Sequence, residues 1–191
     1  MAGIEGQKII NLPYTSSTPS SANNMITLKT HKISFFAQIF CRVLVTGAAV
    51  AATWIILTSK QTVVIFGMTV DARYSYSSAF KFFAYVNLIV SGFTALSCFL
   101  LIIIGNKAFT TKKYFCLFLH DLNMTTLLMA ACAAATSFGM IGQHGNEHAG
   151  WMPICDHFHK YCGRVSISIA LSYFSVVLYL ILTIMSAYSS R

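Results

Sequence analysis

Four long apolar blocks alternate with more polar segments along the chain, and the blocks cover residues 33–57, 82–104, 115–141 and 165–187. Each block is at least as long as the ~20 residues that a helix rising 1.5 Å per residue needs to cross ~30 Å of hydrocarbon. Because lipid offers no hydrogen-bond partner to backbone amides, such blocks are expected to be helical. The pattern therefore predicts an all-α integral membrane protein, a bundle of four transmembrane helices.

The composition favours a membrane protein over a water-soluble domain. Of the 191 residues, 56% are hydrophobic and 9% are charged, whereas an average soluble domain has about 25% charged residues. We therefore expect a single membrane domain over residues 31–188. Residues 1–30 are polar and rich in Ser, Thr and Asn, without the apolar core of a signal peptide, and are expected to form a disordered cytosolic tail.

Lysine and arginine are more frequent on one side of the predicted bundle. The N-terminal segment, the second connection and the C-terminus together carry seven of them, and the first and third connections, with Lys81 at the membrane edge, carry five. The positive-inside rule places the richer side in the cytosol. Both termini are therefore expected to be cytosolic, and the first and third connections extracellular.

The first connection has the pattern of a small extracellular β-hairpin. The β-prone runs TVVIF and TVDARYSY stand on either side of a turn signal at Gly67-Met68. An outward hairpin of this kind presents a compact surface to neighbouring molecules.

The third connection contains the two cysteines that lie outside the apolar blocks, Cys155 and Cys162. In an oxidising space they are close enough in sequence to form a disulfide. The alternative is a zinc site that also uses some of the surrounding histidines, His144, His148, His157 and His159. Such a site would need both thiols to stay reduced, so we predict the disulfide, no metal site and no cofactor.

Two charges interrupt the apolar blocks, Arg42 in the first and Asp121 in the third. Each costs roughly 2.5–3.5 kcal/mol at a helix centre on insertion scales, so each needs a partner. Both lie about 9–14 Å inside the same end of their helices, which predicts a buried ion pair and makes the first and third helices neighbours. The alternative is that Arg42 extends to the lipid headgroups and Asp121 is an interfacial residue next to His120.

Each block also carries a stripe of small or polar residues at helical spacing. The stripe of the second block includes Asn87 and Ser91, and the stripe of the fourth includes Ser168 and Ser172. Such residues let helices approach closely and hydrogen-bond across the contact. The pattern indicates a dry bundle, whereas transport pathways usually show several ionisable residues or helices broken by Pro or Gly.

Taken in order, these residues resemble the CASP-like proteins, the Casparian-strip membrane-domain family of plants, and its first subfamily in particular. The resemblance runs over about residues 33–188 and is carried by the run 74–83 leading into Asn87, by the alanine-rich AACAAATS, and by Arg42, Asp121, Gly145, Asn146, Trp151, Ile154, Cys155, Phe158, Tyr161 and Cys162. It implies four spans, a plasma-membrane location, homo- and hetero-oligomers, and a distant relationship to MARVEL-type tetraspan proteins. The first connection lacks the acidic-aromatic run typical of strip-forming members, so strip formation itself is not implied.

We therefore expect a non-enzymatic scaffold that oligomerises laterally to organise a membrane domain. Its expected partners are itself, related four-span proteins, membrane lipid and cell-wall-modifying enzymes, with no nucleic acid. One alternative is a transporter, channel or accessory subunit in which Arg42 and Asp121 line a solute or proton pathway. The other is a metal-binding or redox enzyme built on the third connection, although no catalytic set can be assembled there.

Overall fold

Four long helices form the protein in the computed structural model, which describes residues 19–65, 67–104 and 111–189. They are α1 (Pro19–Thr58), α2 (Ser78–Ile104), α3 (Thr111–His144) and α4 (His159–Ser189). Each is long and apolar enough to cross a membrane. The four predicted spans are confirmed, and each lies within one of these helices.

The start of α1 overlaps the predicted tail. Residues 1–18 lie outside the described residues, so the tail there stays a prediction. From Pro19 onward the backbone is helical. Proline suits the first turn, because its fixed φ is helical and its missing N–H would have no intrahelical partner at that position. The helix therefore begins before the apolar block.

The helices occupy the four corners of the bundle in chain order. Helix α1 packs against α2 and α4, and α3 packs against the same two helices. Thus α1 and α3 stand on one diagonal, and α2 and α4 on the other. The expectation that the first and third helices are neighbours is wrong. Helices that follow one another in the chain pack side by side in this bundle, as sequential elements usually do, which leaves the first and third at opposite corners.

Large apolar side chains face outward as well as inward. The buried core includes Val45, Ile56, Phe83, Val90, Leu128 and Leu182, while Trp54, Phe99 and Ile184 are among the exposed ones. A helix that is apolar all round belongs in a membrane or in the interior of a large protein. In a 191-residue chain the exposed apolar surface of these helices is suited to lipid.

An antiparallel hairpin follows α1, as predicted. Strand β1 (Lys60–Ile65) pairs with β2 (Met68–Arg73). Because Met68 is already paired with Ile65, the connecting residues are 66 and 67, and the predicted turn pair is displaced by one residue. Gly67 has a φ of +80°, which glycine adopts without the steric cost that other residues would meet in such a two-residue turn.

The hairpin and the connection between α3 and α4 lie at the same end of the bundle, called the hairpin end below. The backbone N–H of Tyr161 donates a hydrogen bond to Gln61 Oε1 at 2.9 Å. The start of α4 is therefore attached to β1. A single 3-10 turn (Tyr74–Tyr76) then leads from β2 into α2.

Candidate functional site

Arg42 of α1 and Asp121 of α3 meet on the central axis of the bundle, toward the end opposite the hairpin. Arg42 Nη2 lies 2.8 Å from Asp121 Oδ1 and 2.7 Å from Asp121 Oδ2. Both side chains are fully buried. Because α1 and α3 stand on a diagonal, the contact depends on the length of the arginine side chain. The structure thus brings together the two intramembrane charges that the sequence singles out.

Two serines from the other helices complete this polar cluster, which we define as Arg42, Ser97, Asp121 and Ser186. Arg42 Nη1 donates to Ser97 Oγ of α2 at 2.8 Å, and Ser186 Oγ of α4 donates to Asp121 Oδ2 at 3.1 Å. Every helix of the bundle therefore contributes one side chain. His120 Nδ1 also lies 3.3 Å from Asp121 Oδ1 and is partly exposed.

Sequence reasoning missed Ser97 and Ser186. Ser186 lies seven residues beyond Tyr179 and so continues the polar stripe of the fourth block along the same face. Ser97 lies three residues beyond Thr94, in the stripe of the second block. Extending both stripes to the ends of their blocks would have placed these serines at the depth of the two charges.

Two buried polar atoms at the cluster are Arg42 Nε and Gln38 Oε1. Neither has a hydrogen-bond partner among the described residues. Gln38 lies four residues before Arg42 and therefore on the same face of α1. A buried polar group without a partner costs about 1–3 kcal/mol. The guanidinium is thus bonded toward α2 and α3, and hydrogen-bonding capacity remains along α1.

Polar side chains also join the second diagonal, between α2 and α4. Ser172 Oγ donates to Asn87 Oδ1 at 2.7 Å, and the hydroxyls of Thr94 and Tyr179 are hydrogen-bonded to each other. Asn87 Nδ2 donates in turn to the carbonyl of Phe83 at 2.9 Å. Both diagonals of the bundle are therefore bridged by buried polar bonds.

The remaining two residues of the predicted packing stripes, Ser168 and Ser91, differ in where their hydroxyls bond. Ser168 Oγ donates to the carbonyl of Ala52 at 2.7 Å and so joins α4 to α1. Ser91 is buried as well, but its hydroxyl bonds to the carbonyl of Leu88 within its own helix at 2.8 Å. Three of the four stripe residues thus bond between helices, and Ser91 contributes by its small size.

The connection between α3 and α4 is closed by a disulfide between Cys155 and Cys162, whose Cα atoms are 5.8 Å apart. Gly145 has a φ of +69°, and a Cβ at this position would collide with the carbonyl oxygen of Trp151. The disulfide occupies both thiols that a zinc site would need. Over the described ranges, no three His, Cys, Asp or Glu side chains come together as metal ligands.

The geometry of the polar cluster is suited to positioning the helices. Removing one partner of a buried ion pair leaves an uncompensated charge, which strongly disfavours any packing that separates the two. Hydrogen bonds from the two serines add contacts that depend on the register of α2 and α4. The fold and the cluster together define a membrane protein with four candidate spans whose helices meet at a buried Arg–Asp pair.

Residues 32–178 match the Casparian strip membrane protein domain, so the chain belongs to that family. It is 50% identical over 174 residues to CASP-like protein 1F2 of Populus trichocarpa, which covers 91% of this chain and 95% of that protein. It is 47% identical over 191 residues to CASP-like protein 1F1 of Vitis vinifera, covering 100% of this chain and 86% of the relative. The CASP-like family resemblance is confirmed, while the distant MARVEL relationship stays a prediction. No solved structure matches the chain.

Proposed function

We propose that this chain is a non-enzymatic scaffold of the plasma membrane that oligomerises laterally, with itself and with related four-span proteins, to organise a membrane domain. Membership of the Casparian strip membrane protein domain family supports a role in membrane organisation. The main observation in favour of lateral assembly is a stripe of small and polar residues on the outer face of α3. This stripe is exposed in the single chain.

The α3 stripe consists of exposed residues at three- and four-residue spacing, namely Asn123, Thr126, Ala130, Ala133 and Ser137. No described residue hydrogen-bonds the side chain of Asn123. An amide exposed to hydrocarbon loses the bonds that water would give it, which costs free energy. A neighbouring helix that bonds to this amide removes that cost, and such interhelical bonds average about 0.6 kcal/mol with a maximum of about 1.7.

A shallow groove beside the stripe supports the same interface. It has a volume of about 340 Å³ and is lined by Thr126, Ala130 and Ala133 of α3 together with Val176 and Leu180 of α4. The small residues of the α3 wall let another helix approach closely, and Met129 of the same wall gives it packing contacts together with the α4 residues. The groove is therefore suited to the ridge of a helix from a second chain.

The oligomeric state of the fluorescently labelled full chain in lipid vesicles, counted by single-molecule photobleaching, tests this proposal. We expect assemblies of more than one chain for the wild type. Ala133→Phe would fill the groove and Asn123→Leu would remove the amide, so both should shift the distribution toward single chains. Ala95→Phe is the matched control, because Ala95 is an exposed alanine of α2.

A wild-type chain that is monomeric at every lipid-to-protein ratio would overturn lateral assembly. If the wild type assembles and both α3 variants assemble equally well, the scaffold role stands but the α3 interface is rejected. A loss of assembly in the Ala95→Phe control would show that any added bulk is disruptive, and would likewise remove support for α3.

The proposed orientation has the termini in the cytosol and the hairpin end outside the cell, supported by the distribution of Lys and Arg and by the disulfide. Gly67→Asn creates an N-glycosylation acceptor with Met68 and Thr69, and asparagine tolerates a positive φ. Ala108→Asn creates the same acceptor with Phe109 and Thr110 between α2 and α3. We expect a glycan on the first variant alone, and the reverse result would invert the topology.

Exposed apolar residues at the hairpin end support contacts with other proteins outside the membrane. Trp151, Met152 and Ile154 are all more than half exposed, and they sit in a connection held by the disulfide. We propose this surface for cell-wall-modifying enzymes. Trp151→Ser should weaken co-isolation of such an enzyme with the chain without changing the photobleaching distribution, and unchanged co-isolation would reject this surface.

A transporter, channel or accessory subunit is the second candidate. It is favoured by the two unpartnered buried atoms at the cluster, Arg42 Nε and Gln38 Oε1, which offer hydrogen bonds to water or a solute. Proton or solute flux into liposomes that contain the chain tests it. Saturable flux that Asp121→Asn abolishes would favour this candidate over the scaffold.

A further inference from the structure

A cavity of about 720 Å³ lies at the hairpin end of the bundle. Its walls come from β2, the start of α2, the end of α3, the disulfide-closed connection and the first half of α4. Pockets of roughly 300–1,000 Å³ are typical of small-molecule sites. The cavity does not overlap the α3 stripe, and neither Arg42 nor Asp121 lines it.

The cavity crosses the boundary between membrane and loops. Its inner end is at Tyr173, fourteen residues into α4 and thus about 21 Å along that helix. Its outer end is at the hairpin and at Gln143 and His157, which are both exposed. A molecule that fills this space therefore has one part at the depth of lipid chains and another at the depth of the loops.

The inner part of the cavity offers mainly apolar contacts, because its few polar groups are already hydrogen-bonded. Phe80, Phe138 and Ile169 form its walls, and the rings of Phe80 and Phe138 pack edge to face with centroids 5.4 Å apart. The hydroxyls of Thr136 and Tyr173 lie 3.2 Å apart and bond to each other. Because these two polar groups satisfy each other, the inner end favours hydrocarbon.

The mouth of the cavity has hydrogen-bonding groups but no unpaired fixed charge. The Lys, Arg, Asp and Glu side chains among its lining residues are Asp71 and Arg73, and these form an ion pair at 3.0 Å. Gln143 and His157 remain to donate and accept hydrogen bonds. An anionic phosphate headgroup would lack an unpaired cation here, whereas a neutral hydroxyl would have partners.

Small residues give access to the cavity from the side. Ser166 and Ala170 line it on α4 and are exposed. Gly139 lines it on α3, and a Cβ there would meet only Ile169 Cδ1, at 3.9 Å. A molecule dissolved in the membrane can therefore enter between these helices.

From these features we propose that the cavity binds a neutral membrane lipid whose uncharged, hydroxyl-bearing head lies at Gln143 and His157. Its apolar body extends inward past Phe80 and Ile169 toward the Thr136–Tyr173 bond. Sterols and monoacylglycerols share this chemistry. The site holds one lipid per chain, independently of whether chains assemble.

Photoaffinity labelling of the full chain in vesicles tests the proposal with two clickable probes, a diazirine sterol and a diazirine monoacylglycerol. We expect at least one probe to label saturably, to be displaced by its unlabelled parent, and to map to peptides that contain residues 138–143 or 166–173. Labelling that is not saturable, or that is spread over all lipid-facing helices, would overturn the proposal. The probe that its unlabelled parent displaces identifies which class of lipid, sterol or monoacylglycerol, binds in the cavity.

Variants that fill the cavity provide a second test of the proposal. Gly139→Leu should reduce specific labelling on the order of tenfold, because the added side chain occupies the space of the lipid body. Gly92→Leu is the matched control, since Gly92 is an exposed helical glycine with open space around it. Ala170→Phe blocks the side entrance and replaces Gly139→Leu if that variant does not fold. Equal labelling of filled variant and control would reject the cavity as the site.

Discussion

The two ends of the bundle are held together in different ways. At the end opposite the hairpin, four helices converge on fully buried Arg42 and Asp121, with a serine from each remaining helix. At the hairpin end, a disulfide and an antiparallel hairpin hold the chain around a cavity of about 720 Å³. The first end is closed by directional polar bonds, and the second by covalent and backbone links that leave space inside.

This difference indicates which end of the bundle can change its packing. A buried charge pair permits one arrangement of its helices, because separating the partners leaves each charge in hydrocarbon. A disulfide fixes the path of one connection and does not require close packing below it. We therefore expect stability and helix register to depend on the polar cluster, and ligand binding to depend on the hairpin end.

Breaking the ion pair should have the largest effect. Arg42→Ala or Asp121→Ala should each lower the free energy of unfolding by about 3–5 kcal/mol, because the remaining charge stays buried without a partner. The double variant Arg42→Leu/Asp121→Leu should recover most of that loss. Denaturation in mixed micelles, followed by tryptophan fluorescence, measures all three.

The exposed ion pair of the hairpin is the control for this experiment. Arg73 and Asp71 form the same type of pair at 3.0 Å, but solvent screens it, so Arg73→Ala should change stability little. If the single variants at the buried pair unfold like the wild type, the polar cluster does not hold the bundle.

Removing the disulfide should have the next largest effect and should be local. For the short loop closed by Cys155 and Cys162, the chain-entropy relation gives about 2.5 kcal/mol for the double Cys→Ser variant. Hydrogen exchange should accelerate at residues 145–162 and remain slow around Arg42. Cys116→Ser removes an exposed free cysteine and should change neither. Faster exchange at both ends would show that the ends are not independent.

The bond across the second diagonal should contribute less. Ser172→Ala leaves Asn87 Oδ1 without its donor and should cost roughly 0.5–1.7 kcal/mol in the same unfolding assay. Ser166→Ala, at an exposed position of the same helix, should cost less. Equal losses for the two serines would mean that the bond between Ser172 and Asn87 adds nothing.

The smallest expected effect is that of acidification at the hairpin. The hydroxyl of Thr62 bonds Asp71 and, with Arg73, lowers the pKa of that carboxyl below its ordinary value of 3.8 against a smaller opposing effect of burial. Because the folded pKa is depressed, this contribution is present above about pH 4 and is lost as the pH falls through the lowered pKa. Amide exchange in β1 and β2 should accelerate there in the wild type and not in Asp71→Asn.

The main elements of the fold followed from local sequence. Lipid-length apolar blocks require helices because no other open backbone structure is satisfied in hydrocarbon, and the four spans were found where they were predicted. The hairpin followed from β-prone runs around a glycine, with the turn displaced by one residue. The ends of the helices could not be predicted from local sequence, because polar residues such as those from Pro19 onward can continue a helix beyond the membrane.

The candidate site could be predicted in part. A charge within an apolar block is visible in the sequence, and two charges at the same depth invite pairing, as Arg42 and Asp121 do. Ser97 and Ser186 were missed because a serine in a membrane helix is common and carries no sign of its partner. The cavity was not predicted at all, since its walls come from five separate segments.

The sequence by itself therefore determined the membrane class, the four spans, the hairpin and the family, because each depends on residues close together in the chain. Only the tertiary structure decided that α1 and α3 occupy opposite corners, so that the predicted pair of Arg42 and Asp121 crosses the centre of the bundle. It also decided which serines complete the cluster and that space remains below the disulfide. These features depend on how four helices pack together, and packing is set by distances between residues far apart in sequence.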